Sequence, residues 1–157
     1  MLLPGLPSFS ITFDDLAGLA GVAVTAVSDG SSVTLDDTVP TLSSVSIDSD
    51  NAETSATAET AIDGNIVTLT FVGSEALSAN AGGGKPACAF TLDSSAATNA
   101  DTVTNTGGNT WTCVFTLADA DAEAAVAFTI SFDDLAGNAG VAVTAVSDGT
   151  SVTVDDT

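Results

Sequence analysis

Residues 9–38 read FSITFDDLAGLAGVAVTAVSDGSSVTLDDT, and residues 128–157 read FTISFDDLAGNAGVAVTAVSDGTSVTVDDT. The two stretches are identical at 25 of 30 positions, at an offset of 119 residues. Near-identity at one fixed spacing is typical of tandem duplication of a structural unit. The sequence therefore predicts one complete unit over residues 38–157, preceded in residues 1–37 by the last strands of another unit.

Inside the predicted unit, apolar residues alternate with polar ones over short stretches, as in strands that bury one face. Polar turns such as Ser147-Asp148-Gly149 separate these stretches, and a unit of this length suits one sandwich domain. The predicted fold is all-β with about seven strands, and residues 119–125 are the one alanine-rich stretch that suits a helical turn. The predicted strands cover residues 42–47, 66–72, 88–92, 111–117, 126–132, 140–146 and 151–154.

Five pieces of the unit also resemble a known family. They are residues 67–71 (VTLTF), 74–77 (SEAL), 109–112 (NTWT), 128–138 with the turn DLAGN, and 36–40 (DDTVP). In this order and spacing they resemble the bacterial-type Ig-like repeats found in tandem in giant extracellular and cell-surface proteins of bacteria and some algae. The resemblance covers the whole unit and implies an immunoglobulin-like antiparallel β-sandwich. The chain departs from the family at Leu19, where the second copy has the family-like Asn138, and in having a cysteine pair.

The inventory of reactive side chains excludes most enzyme chemistry. The sequence has no His, no Tyr and no Arg, and Lys85 is its single basic residue. Nucleophile pairs need an imidazole, phosphoryl transfer needs cations around the phosphate, and the usual zinc sites need His or more than two cysteines. Paired carboxylates could hydrolyse a glycoside, but one Trp and no Tyr do not suffice to line a sugar cleft. We therefore expect no enzymatic activity.

The formal net charge of −20 predicts which partners the surface repels. Phosphate backbones and anionic headgroups carry the same sign, so we expect neither nucleic-acid binding nor membrane insertion. No apolar stretch approaches the roughly 20 residues of a membrane span, and residues 1–7 lack the basic region of a signal peptide. We expect any export signal to lie outside this sequence.

Cys88 and Cys113 both fall in inward-facing register on neighbouring predicted strands. One interpretation is a disulfide, which would stabilise the unit by roughly 3 kcal/mol and imply an oxidising compartment. The other is a pair of free core cysteines that act as small hydrophobes. We favour the disulfide and, with it, an extracellular or cell-surface location.

Acidic residues cluster at three recurring places, and calcium is their candidate cofactor. They are the domain join, the stretch just after the first predicted strand and one turn: Asp36 and Asp37; Asp48, Asp50 and Asn51; Asp133 and Asp134. Calcium takes six to eight oxygen ligands, so a site at the join would stiffen an array of units. No EF-hand spacing is present. The alternative is that these residues form turns by accepting backbone hydrogen bonds.

Two functional hypotheses follow. The repeats form the shaft of an extracellular fibre, filament or stalk, or they are spacer or binding repeats of a calcium-dependent adhesin that meets a glycan or surface ligand. The lack of Tyr and Arg favours the shaft, because these residues dominate binding hot spots. Residues 9–38 cannot bury their apolar face alone. Upstream sequence, the chain's own unit or another copy would have to cover it, and the last would link copies head to tail by strand complementation.

Overall fold

The computed structural model describes residues 7–51, 57–80, 85–93, 96–118 and 122–155. The chain forms two compact units, Met1–Thr38 and Val39–Thr157. We call them the tail unit and the main unit. All regular structure in the described residues is β, and none of them belongs to a helix that is long and apolar enough to cross a membrane. The predicted all-β class is therefore confirmed.

The nine strands found among the described residues all lie in the main unit, and two sheets hold most of them. The first sheet has four antiparallel strands in the order β1-β3-β7-β6, and the second has three in the order β5-β4-β8. The pair β2-β9 is parallel. The strands are β1 Leu42–Ser49, β2 Ala58–Ala61, β3 Ile66–Gly73, β4 Ala87–Leu92, β5 Thr98–Asn99, β6 Thr102–Gly107, β7 Thr110–Thr116, β8 Val126–Ser131 and β9 Ser151–Val154.

The core lies between the two sheets, an arrangement consistent with a β-sandwich. Strands β3 and β7 alternate buried and half-exposed residues along their length, as a sheet with one covered face requires. The rings of Phe90 in β4 and Phe115 in β7 stack with centroids 5.1 Å apart. Of the residues predicted to face inward, Val126 is half-buried. The others are all buried: Val45, Ile47, Val67, Leu69, Phe71, Cys88, Phe90, Leu92, Trp111, Cys113, Phe115, Leu117, Phe128, Ile130 and Phe132.

The strand prediction needs correction in two places. Residues 140–146 form no continuous strand: Val143 bridges to Ile130, and Gly140 N–H donates to the Phe132 carbonyl. Strands β2, β5 and β6 were not predicted, because they are short or carry Thr, Asn and Gly where an alternating pattern would need apolar residues. Of the stretch 119–125, residues 119–121 lie outside the described residues, and residues 122–125 contain no helix.

The main unit has two distinct ends. Strand β1 begins at Leu42 opposite Gly73 and finishes at Ser49 opposite Val67. We call these the Leu42 end and the Ser49 end. At 3.3 Å per residue, β1 alone separates them by about 23 Å. The last strand, β9, finishes at Val154 beside Ala61, and the loop after Ala61 bonds to Leu117, which follows β7 at the Ser49 end.

Candidate functional site

Residues 128–154, here called the closing segment, complete the main unit by touching both sheets. The segment starts in β8, paired with β4. After a turn it runs back along β8 and then beside β1, where Ser147 N–H donates to the Val45 carbonyl at 2.8 Å. It ends as β9 on β2. The segment thereby covers the edge of β1 and the buried apolar side chains of that strand, Val45 and Ile47.

Two side-chain hydroxyls fasten the closing segment to β1. The backbone N–H of Val45 donates to Oγ of Ser147 at 2.9 Å, and that of Ile47 donates to Oγ1 of Thr150 at 3.0 Å. An uncovered edge strand presents a row of unpaired backbone groups that invite pairing with other chains. The two hydroxyls satisfy two of these groups on β1.

Residues 9–35, here called the tail segment, repeat the local backbone structure of the closing segment. The bridge from Ile11 to Val24 matches that from Ile130 to Val143. The N–H of Gly21 donates to the Phe13 carbonyl, as that of Gly140 does to Phe132. In both segments the ring of this Phe lies where a Cβ on the Gly would be. The shared sequence therefore fixes the local fold in both places.

The apolar side of the tail segment is uncovered, in contrast to its copy in the main unit. Ile11 is 55% exposed and Ile130 is 0% exposed. Phe13 is 54% exposed, whereas Phe132 is 3% exposed. The same side chains in the same local fold thus differ only in whether a partner surface is present. A contiguous apolar face of this kind marks an interaction site.

A groove of about 360 Å³ also opens on the tail segment. Phe9, Val27, Ser31 and Val33 are among the residues that line it. Ser31 corresponds to Thr150, the residue that binds β1 in the main unit. At this position the groove matches the surface that bonds β1 in the main unit.

The predicted calcium ligands of the main unit do not form one site. Asp48 lies inside β1 and not after it, because it pairs with Thr68 of β3, and Asp50 and Asn51 follow at the Ser49 end. Asp133 and Asp134 lie at the Leu42 end, since Leu77 bridges to Asp134 and follows the end of β3. The length of β1, about 23 Å, keeps the two groups apart. Calcium binding at either place stays a prediction.

Most of these acidic residues bind backbone groups nearby. Asp50 Oδ1 accepts from Ile66 N–H at 2.8 Å, and the side chain of Asn51 donates to the Thr60 carbonyl. In the tail unit, Asp36 Oδ1 accepts from Thr38 N–H at 3.0 Å. Asp37 follows Asp36 at the end of that unit. The Asp36 bond is local and fits the turn-forming role predicted as the alternative to calcium, whereas the bonds of Asp50 and Asn51 join segments 16 and 9 residues apart.

Asp134 is the buried member of the acidic set, and its own turn satisfies it. Its Oδ1 accepts from the backbone N–H groups of Ala136, Gly137 and Asn138, and its Oδ2 accepts from the Asn138 side chain. Burial opposes ionisation of this carboxyl, but the hydrogen bonds from Asn138, Gly137 and Ala136 outweigh burial and lower its pKa below the ordinary 3.8. Asp134 is therefore an ionised turn former.

Glu59 is a buried acid that the sequence reasoning missed. It lies in β2, where the alternation of Ala-Glu-Thr-Ala turns Glu59 and Ala61 inward. Its Oε2 accepts from the backbone N–H of Ser49, and its carboxyl meets that of Asp48. Burial raises the pKa of Glu59 above 4.5, the negative charge of Asp48 adds to this, and the Ser49 bond partly offsets it. A single Glu in a short alanine-rich strand gave no signal of burial.

The raised pKa of Glu59 predicts how stability depends on pH. Between its ordinary pKa of 4.5 and its higher folded value, the folded chain binds more protons than the unfolded chain. The free energy of unfolding therefore falls as pH rises through this window. We expect Glu59→Gln to flatten this slope in urea melts at pH 5 and pH 7.5.

A matched control separates this effect from general charge repulsion, which also eases on acidification. Glu123 is exposed, so Glu123→Gln removes the same charge without touching the Ser49 end contact. The pH slope of Glu123→Gln should stay steeper than that of Glu59→Gln. Equal slopes in the two variants would contradict the assignment to Glu59.

The structure joins Cys88 in β4 to Cys113 in β7 by a disulfide, as the sequence predicts, with Cα atoms 6.3 Å apart. Both cysteines are buried. The bond therefore links the two sheets through the core, next to the stacked pair Phe90 and Phe115.

No protein-family model matches the chain, and no curated protein matches it significantly.

Proposed function

We propose that this chain is a structural repeat module of an extended extracellular fibre, filament or cell-surface stalk, and that its main unit is an immunoglobulin-like sandwich repeated in tandem. One observation carries the proposal. The first strand starts at the Leu42 end of the main unit, and the last strand finishes at the Ser49 end. In a unit of this kind the chain enters at one end and leaves at the opposite end.

Tandem copies of such a unit form an extended string. The segment that repeats at an offset of 119 residues ends in Asp-Asp-Thr in both copies, and in the first copy Val39 and Pro40 follow. Pro40 is buried at the start of the main unit, and its fixed φ restricts the join. With a short join, each new unit begins where the previous one ends, so length grows with every repeat.

The covalent and electrostatic features suit an extracellular setting. Disulfides persist in oxidising compartments and are rare in the cytosol. A net charge of −20 keeps a long exposed assembly soluble and repels anionic surfaces. Calcium at the joins, through Asp36 and Asp37, belongs to the same proposal as a means of stiffening the array.

Electron microscopy of the native protein, with and without chelator, tests the proposal. We expect filaments with an axial repeat of one unit. Loss or softening of the filaments in chelator would assign the acidic joins to calcium, and unchanged filaments would leave them as turn formers. Globular particles in both conditions would contradict the shaft. A distinct terminal domain bound to a glycan surface would favour the adhesin instead.

A further inference from the structure

We propose that the tail segment and the closing segment are interchangeable donors for one acceptor surface, formed by β1, β2 and β4 of the main unit, and that the tail segment of one copy occupies this surface on a second copy when the closing segment of that second copy is displaced. The acceptor surface is known from the main unit, where it covers a segment nearly identical to the tail segment. This inference extends the proposed function. It can fail while that function stands, because units joined in one chain need no exchange.

The side chains that hold the closing segment in place recur at the matching positions of the tail segment. Ser28 stands at the position of Ser147, and Ser31 stands at that of Thr150 and keeps the hydroxyl that binds β1. The core residue Ile130 has its copy in Ile11. Each group that the acceptor surface bonds or buries at these positions is therefore present in the tail segment.

Two of the five differences make the tail segment the weaker donor. Leu35 replaces Val154, which is 1% exposed in the main unit, and an added methylene in a packed core forces its neighbours to shift. Leu19 replaces Asn138, whose side-chain amide bonds the buried Asp134. The chain's own closing segment therefore binds the acceptor surface in preference to the tail segment, which remains uncovered.

Exchange within one chain would be strained, so we expect exchange to occur between copies. Within a chain, Leu35 would take the place of Val154 at the Ser49 end, while Leu42 must begin β1 at the other end. The seven peptide steps from Leu35 to Leu42 reach at most about 25 Å, and β1 alone spans about 23 Å. The join would be fully stretched. A second copy imposes no such limit.

Each chain carries two donors and one acceptor surface. A closed monomer therefore leaves one donor uncovered, and exchange only changes which donor this is. Exchange becomes favourable when the closing segment is weakened, and the resulting contact is head to tail and does not close on itself. The outcome is a chain of copies.

The test is a rescue experiment on the full chain. Ile130→Asp places a charge in the core and disables the closing segment, while Ile11 still offers an intact donor. We expect this variant to fold at high protein concentration as head-to-tail oligomers, with a melting midpoint that rises with concentration. Ile11→Asp/Ile130→Asp disables both donors and should be an unfolded monomer. Ile11→Asp alone should stay a folded monomer.

A crosslink reports the register of the exchange. Thr91 pairs with Ala127 in the main unit, and Ser8 is the tail counterpart of Ala127. Directly paired antiparallel residues lie within disulfide reach. On the Ile130→Asp background, Ser8→Cys with Thr91→Cys should form crosslinked oligomers in oxidant. Ser8→Cys with Thr104→Cys, on exposed β6, should not.

A second variant is designed to make the tail segment a stronger donor. On the Ile130→Asp background, Leu19→Asn/Leu35→Val matches the tail segment to the closing segment at both of these positions. We expect the concentration for half-oligomerisation to fall by about tenfold or more. The proposal is overturned if Ile130→Asp and the double aspartate variant are equally unfolded and monomeric at all concentrations, or if the oligomers give no crosslink.

Discussion

Replacement of Phe132 by alanine is expected to lower the free energy of unfolding of the dilute protein by about 3–5 kcal/mol. Phe132 is 3% exposed and belongs to the core of the main unit. Its copy, Phe13, is 54% exposed in the same local structure. Phe13→Ala should change the free energy of unfolding by only about 0.5 kcal/mol, because little buried area is lost.

Urea denaturation followed through Trp111 fluorescence measures both changes, because Trp111 lies in the core of the main unit. The duplicated sequence supplies the control, since the two substitutions are chemically identical and differ only in the surface that covers the ring. Similar losses in both variants would show that the tail segment is covered in solution, contrary to its exposed apolar face.

Loss of the disulfide is the second large effect. The bond closes a loop with a sequence separation of 25, and on the chain-entropy model such a loop stabilises by about 3 kcal/mol. We expect Cys88→Ala/Cys113→Ala to lower the free energy of unfolding by this amount, because the unfolded chain gains freedom and the sheets lose their covalent link.

The same substitutions also remove two sulfur atoms from the core, so a second measurement isolates the bond. Reduced unmodified protein keeps both side chains and should lose most of the same free energy. A reduced protein as stable as the oxidised one would contradict a structural role for the bond. The double alanine variant should not respond to reductant at all.

Much of the main unit could be predicted from its sequence, because alternation of apolar and polar residues indicates a strand with one buried face. Val67, Leu69 and Phe71 turn inward since every second residue of a strand faces the same side, and the structure buries all three. The cysteines were predictable by the same argument. Both fall on inward positions of strands that face each other across the core.

Other parts carry no local signal. Strand β6, TVTNTG, is almost wholly exposed and is held by backbone pairing to β7. Strand β2 pairs in parallel with β9, a contact between segments about 90 residues apart in the sequence. Only the folded sheets bring Glu59 beside Ser49 and Asp48. These features depend on tertiary contacts, which override local propensity.

The acidic residues show the same division. The turns that some of them form were predictable, because Asp and Asn bond the backbone two residues on, as Asp36 does with Thr38, whereas Asp48 lies inside β1. Their separation into opposite ends of the main unit was not, since it depends on the length and direction of β1. The sequence shows which residues carry oxygen ligands, but it does not show which of them lie close together in the fold.

The closing segment runs parallel to β1, with Ser147 beside Val45 and Thr150 beside Ile47. The chain enters the main unit at the start of β1 and leaves it at Val154. A force that pulls the two ends of the main unit apart therefore loads these hydrogen bonds in shear, so that several must break together rather than one after another. Under such a force the contact between β1 and residues 147–150 bears the load, and if it breaks, the disulfide still keeps the stretch from Cys88 to Cys113 from extending.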